Sequence, residues 1–403
     1  ERQAPTNLPV TPEGSVLGMA LKQFYQDNAG SKITVNADVY CAVQFTYESK
    51  RFILCGTNYG IYIASFDYIC GWKRILNMTK VSRMEVNTKL GLLFVLADRR
   101  LCHFNLPSII CGYYDSQKYL DGNQIVGVMI REKVTFFKMA EDFSNSRHLF
   151  YERKGKIFVM TPEFDRITKA FKFFKVYKEY KLPSTNNGLL TPEVQDIAVF
   201  KRSFIVSSSK GAVLYNESFN DMGIVLPSFL NDKPVLSYHH HHLSHHPFKT
   251  TMESSSKKDS SKQKMAEYVK TDIVTNKTKP VGCFQISNDD FILVYDEAVV
   301  KLNKNGEIPD WKEDILVLDF YCLSASMNNE FLILVGENLI QIYDFNYMGN
   351  IVNNKLNRLT PVQIIKGKKL ELISSQKQDD TVVVLSHPTI PGRQLIVGFY
   401  PAE

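Results

Sequence analysis

The sequence predicts an all-β fold: a seven-bladed β-propeller with an N-terminal extension and a disordered insert. Three observations carry that prediction. A strand–polar turn–strand hairpin recurs seven times in 403 residues, an apolar run precedes each hairpin, and helix signals between them are scarce. One small sheet cannot bury both faces alone, whereas sheets stacked radially cover one another.

Residues 1–38 read as an extension. SVLGMALKQFYQD (15–27) predicts a short helix outside the ring. The last unit has no obvious fourth strand, so a strand from the first 38 residues is expected to complete it and close the ring. The propeller then occupies 39–403. Its first hairpin, RFILCGTNYGIYIAS (51–65), contains GTNYG, which could cradle a phosphate or form a hairpin tip. Both flanking runs favour strand and Gly60 after Asn58 suits a tight turn. No helix start follows to aim N–H groups at a phosphate. The other hairpins begin at GLLFVLADRRLCHFNL (91), RHLFYERKGKIFVM (147), RSFIVSSSKGAVLYN (202), DDFILVYDEAVVKLN (289), NEFLILVGENLIQIYDF (329) and DDTVVVLSHPTIPGRQLIVGFY (379). Preceding runs such as VYCAVQF (39–45), VSRMEV (81–86) and VQDIAVF (194–200) add a third strand. WKRILNM (72–78) and parts of 169–181 and 221–228 suggest a fourth. Counted from Phe52, Leu92, Leu149, Phe204, Phe291, Phe331 and Thr381, the spacings are 40, 57, 55, 87, 40 and 50. The outlier of 87 holds the low-complexity stretch 239–270, and without it the unit averages about 48 residues.

Composition narrows the function. No stretch of about 18 apolar residues exists, so no helix is expected to cross a membrane. Opening on Glu1 without a charged-then-apolar leader, the chain reads as a piece or processed product of a longer polypeptide. Seven scattered cysteines with no CxxC read as reduced thiols, and the expected location is cytoplasmic. The net charge is +6, but residues 239–270 supply half of it, so a nucleic-acid footprint is poorly supported.

Few segments suggest chemistry. HHHHLSHH (239–246) could bind a metal, yet it lies in a Ser/Lys-rich stretch read as disordered, and no metal site is assigned. His103, His148 and His387 read as packed or surface strand residues. Asp296-Glu297 sits at a hairpin tip, and Asp289-Asp290 and Asp379-Asp380 likewise read as turn residues. KAFKFFKVYKEYK (169–181) repeats lysine and aromatic residues at a period of three. Lys172, Lys175 and Lys178 could meet an acidic partner or anionic lipid, or could simply guard an outer edge strand. CGYYDSQKYLDGNQ (111–124) reads as a polar loop whose Tyr113, Tyr114 and Tyr119 are candidates for partner contact. A catalytic site in a central channel would need polar residues converging from several blades, which the inner-strand runs are not expected to supply.

With these units in order, the sequence resembles the citron homology (CNH) domain from about residue 31 to the end. RFILCGTNYGIYIAS, VSRMEVNTKLGLLFVLADRRLCHFNL, VQDIAVFKRSFIVSSSKGAVLYN and KPVGCFQISNDDFILVYDEAVVKLNKNGE carry the resemblance. SVLGMALKQF ahead of them looks most like fungal Rho guanine-nucleotide exchange factors, where this domain follows Dbl-homology and pleckstrin-homology domains. The resemblance implies a non-catalytic regulatory module without a cofactor. Its implied partner is a Rho-family small GTPase or another domain of the parent protein, in the setting of cell-wall integrity and actin control. The alternative is a membrane-surface adaptor recruited to the plasma membrane through the 169–181 strip. Two departures stand out: AVVKL at 298–302, where the family commonly has a glycine and an aromatic, and the His/Ser/Lys insert.

Overall fold

The computed structural model describes residues 19–23, 38–65, 68–114, 125–144, 146–183, 191–217, 223–229, 256–345, 355–374, 380–387, 391–392 and 394–401. These residues form seven four-stranded antiparallel sheets arranged as the blades of a propeller. Blade one runs outward through Val39–Tyr47, Lys50–Thr57, Gly60–Ser65 and Tyr68–Leu76. The innermost strands of blades two to seven are Val81–Asn87, Val134–Phe143, Val194–Val199, Pro280–Gln285, Ser324–Asn328 and Glu371–Ser374.

Seven apolar clusters exist among the described residues, and each is filled by two neighbouring blades. Alternation along a strand explains how. In blade one Phe52 and Leu54 point into the cluster shared with blade two, while Ile53 and Cys55 point into the cluster shared with blade seven. A strand covered on both faces must be apolar throughout, hence runs such as FILC and LLFVLA.

Polar side chains add clamps between blades. The Met139 N–H of blade three donates to Glu85 of blade two (2.8 Å), and the Gln44 N–H of blade one donates to Asp380 of blade seven (3.2 Å). Asp380 is therefore an inter-blade clamp, buried and also bonded by Ser374 Oγ at 2.5 Å, rather than a turn residue at the surface. Asn328 Nδ2 of blade six donates to Thr381 Oγ1 and to the Phe399 carbonyl of blade seven.

Blade seven takes its outer strand from the other end of the chain. Met19–Gln23 pairs antiparallel with Gln394–Pro401, Met19 opposite Pro401 and Gln23 opposite Val397. These five residues fall inside the stretch expected to be helical, and that expectation is corrected for them. The edge of Gln394–Pro401 offers unpaired N–H and C=O groups, and tertiary pairing outweighs a weak local helix preference.

Two more expectations change. Part of the segment read as a polar loop is helix α1 (Leu106–Tyr114), capped by Asn105, whose Oδ1 accepts the Ser108 N–H at 2.9 Å. The end of the insert read as disordered is helix α2 (Ser256–Val274). Its Val269 and Ile273 pack towards blades four and five, and Ala266, on the same face, is buried. Lys270 extends over Trp311, 4.6 Å from the ring centre. That apolar stripe is narrow, and the surrounding serines and lysines hide it in composition. Residues 239–255, with the histidine run, lie outside the described residues.

GTNYG is a hairpin tip. Thr57 Oγ1 donates to the Gly60 carbonyl (2.9 Å) and accepts the Tyr59 N–H (3.1 Å). Ser208 makes the same pair of bonds to Gly211 and Lys210 in blade four. Gly60 has φ +130°, and a Cβ there would lie 2.4 Å from the Leu76 carbonyl oxygen. Gly60→Ala is therefore expected to cost about 1–3 kcal/mol in urea denaturation. An unchanged midpoint would show that the turn relaxes without strain.

Candidate functional site

The period-three strip is the outer strand of blade three, Phe171–Lys181. Two register irregularities against the third strand explain the odd period, because each bulge resets the in–out alternation. Phe171 and Phe174 turn inward, Phe174 lying 5.8 Å from Phe94 of blade two. Tyr180 is buried 4.9 Å from Phe204. Phe173, Val176 and Tyr177 are exposed.

The lysines already have partners. Lys172 pairs with Asp165 (3.6 Å), Lys175 with Glu163 (2.6 Å), and Lys178 donates to the Glu217 carbonyl (3.1 Å). Asp165 also accepts the Ile167 and Thr168 N–H groups, which hold its carboxyl below the usual range. The strip is thus no bare cationic ladder, and this weakens the charge argument for anionic lipid. What distinguishes it is apolar exposure. Val128 and Met129 of blade two, Phe164, Ile167, Phe173 and Val176 of blade three, and Ile224 and Val225 of blade four all expose large side chains on or beside the outer strands. Exposed apolar groups gathered over neighbouring elements mark interaction surfaces.

The tyrosines stand elsewhere. Tyr113 and Tyr114 end helix α1, which packs against blades one and two. Tyr113 is buried, its ring 5.8 Å from Phe52 and its carbonyl accepting from Lys73 Nζ at 2.6 Å. Tyr114 is 50% exposed, so it has ring area to offer a partner. Tyr119 lies outside the described residues. The lysines and tyrosines thus sit on different elements.

His148 is buried against Phe143 and Phe150, with Nδ1 3.2 Å from Thr161 Oγ1, and burial lowers its pKa. His103 meets Phe171 edge-on, and burial lowers its pKa also. Asp296 accepts from Tyr321 Oη (2.8 Å) and from Thr278 Oγ1, so its carboxylate is occupied within the turn.

A cavity of about 310 Å³ lies among the innermost strands and takes lining residues from all seven blades. Arg83, Asp196 and Glu371 reach it from blades two, four and seven. Sequence reasoning missed this convergence. The available signal was a charged residue inside an otherwise apolar inner-strand run, as in VSRMEV and VQDIAVF. Arg83 lies 3.5 Å from Glu85 and over the Phe136 ring. Cys41 also lines the cavity, but burial pushes its thiol up to about 12, so it is not a thiolate at neutral pH.

Burial raises the Asp196 carboxyl, more than Lys138 and Arg83 lower it. A carboxyl raised by folding contributes most stability when protonated, below its unfolded value, and loses that contribution as pH rises through its folded value. Asp196→Asn should therefore raise the melting temperature at pH 7 and change it little at pH 3.5. Thermal scans showing the larger gain in acid would contradict this assignment.

The CNH domain family model matches residues 49–376. The Rho1 guanine nucleotide exchange factor TUS1 of Saccharomyces cerevisiae (strain ATCC 204508 / S288c) is 50% identical over 405 residues, which take in 100% of this chain. This chain spans 31% of that protein's length. The AfRom2 CNH domain matches 94% of this chain and 98% of its own, with a TM-score of 0.64 at 15% identity, a likeness of fold alone. No described helix is long and apolar enough to cross a membrane.

Proposed function

The chain belongs to the CNH domain family, and from that premise we propose that it is a regulatory, non-catalytic interaction module of a Rho-family GTPase exchange factor. It binds a Rho GTPase, or another domain of the parent protein, and so sets where or when exchange occurs. The observation that carries this reading is the 50% identity, over the whole chain, to part of a Rho1 exchange factor. The exposed apolar rim of blades two to four supports a protein partner, and Lys172, Lys175 and Lys178, engaged by Asp165, Glu163 and the Glu217 carbonyl, border that rim and exchange those partners for acidic groups of the bound protein. Tyr114, backed by buried Tyr113, offers the partner a second contact point, and Tyr119 is a further candidate for that contact.

Calorimetric titration of this chain tests the reading. The partners are Rho-family GTPases in GDP and GTP-analogue states, and the exchange-catalysing segment of the parent protein. Binding to at least one is expected, weakened about tenfold by the double change Lys172→Glu and Lys175→Glu. No binding to any of them would overturn the proposal. Binding indifferent to the lysine changes and to Tyr114→Ala would move the contact to another surface.

A further inference from the structure

In each four-stranded meander the turn between the second and third strands lies at one end of the blade, and the turns on either side of it lie at the other. The Asp296–Glu297 turn of blade five therefore shares a face of the ring with the link to blade six and with the link from blade four, which carries α2. Between these three elements lies a cleft of about 390 Å³. Its floor includes Val269 and Leu318, both buried. Met265, Tyr268 and Tyr321 wall it with exposed side chains, Tyr268 being 74% accessible.

Three carboxylates, Asp272, Glu297 and Asp319, also line the cleft. Asp319 accepts from Gln341 Nε2 at 2.8 Å. Glu297 and Asp272 line the same cleft, and the Glu297 carboxyl is raised, by burial first and by Asp272 next. No lysine, arginine or histidine among the described residues forms a salt bridge with any of the three. Yet the chain carries +6 overall, and Lys270 of α2 is turned onto Trp311 and Phe229. An apolar, aromatic-walled groove with an unmatched acidic lining has a definite complement.

We propose that this cleft docks a short basic and apolar segment of a partner protein. A lysine or arginine side chain enters between Asp272 and Glu297 and forms charge-assisted hydrogen bonds with their carboxylates. Tyr268 and Tyr321 flank the cation, and apolar neighbours of the basic residue cover Met265 and the tyrosine rings. Anionic lipid and nucleic acid would meet like charge here. This surface is separate from the blade-three rim and α1, so the two binding activities are separable by mutation.

The test selects a random dodecapeptide phage library on the full chain, then measures the enriched peptides by calorimetry. Enriched peptides are expected to carry Lys or Arg beside apolar residues. The Asp272→Asn, Glu297→Gln double change should weaken them at least tenfold, and Tyr268→Ala about fivefold. Replacing the peptide's own basic residue by glutamine should weaken binding similarly, an arm that holds even if the double variant misfolds. No enrichment, peptides without a basic residue, or affinities unmoved by these changes would overturn the proposal. Self-association abolished by the double change would also overturn it, by making a second copy the occupant.

Discussion

Phe204→Ala is expected to cost about 3–5 kcal/mol of stability, read as a lower urea midpoint with an unchanged slope. Phe204 is fully buried where blades three and four meet. Its ring lies 5.1 Å from Phe150, 4.9 Å from Tyr180, 5.1 Å from Tyr215 and 6.0 Å from Phe143. Truncation removes the transfer free energy of the ring and leaves a cavity whose walls belong to two sheets. Those sheets are held by their other neighbours as well, so the gap closes only in part. A loss below about 1 kcal/mol would mean that the blades can slide together, contrary to tightly packed closure.

Glu85→Ala should cost about 3 kcal/mol by a different route. Glu85 is buried, accepts the Met139 N–H of the next blade, and lies 3.5 Å from Arg83 and 3.7 Å from Lys138. Alanine removes the acceptor and leaves two partly buried cations facing each other across a blade boundary. Glu85→Gln, which keeps an acceptor and most of the volume, should lose less. In a double-mutant cycle, adding Lys138→Met to Glu85→Ala should cost less than the sum of the two single changes. Strict additivity would show that the Lys138 pairing contributes nothing and that the backbone bond alone matters.

How much was legible follows from the range of each interaction. Hairpins were readable because strand alternation and turn chemistry are local: GTNYG and SSSKG carry the Thr57 and Ser208 turns in their own sequence. The outer strand 171–181 was readable as an edge, since its lysines interrupt what would otherwise be an apolar run. Helix α2 was misread because only Ala266, Val269 and Ile273 mark its buried face within a segment dominated by serine and lysine. Tyr113 and Tyr114 looked alike as letters. Helix α1 buries the first and half-exposes the second, because successive residues on a helix point about 100° apart.

By itself the sequence determined the repeating unit, the all-β class, the count of blades and the family, all of which rest on local patterns of a few dozen residues recurring along the chain. Only the tertiary structure decided which residues meet across distance. It selected Met19–Gln23 as the closing strand expected from the first 38 residues and fixed its register on Gln394–Pro401, and it set Asp380 against Gln44, Arg83, Asp196 and Glu371 around one channel, and Asp272 beside Glu297. The physical reason is ring closure. Side chains far apart in the chain become neighbours only when seven sheets bury one another's faces, and no local periodicity encodes that meeting.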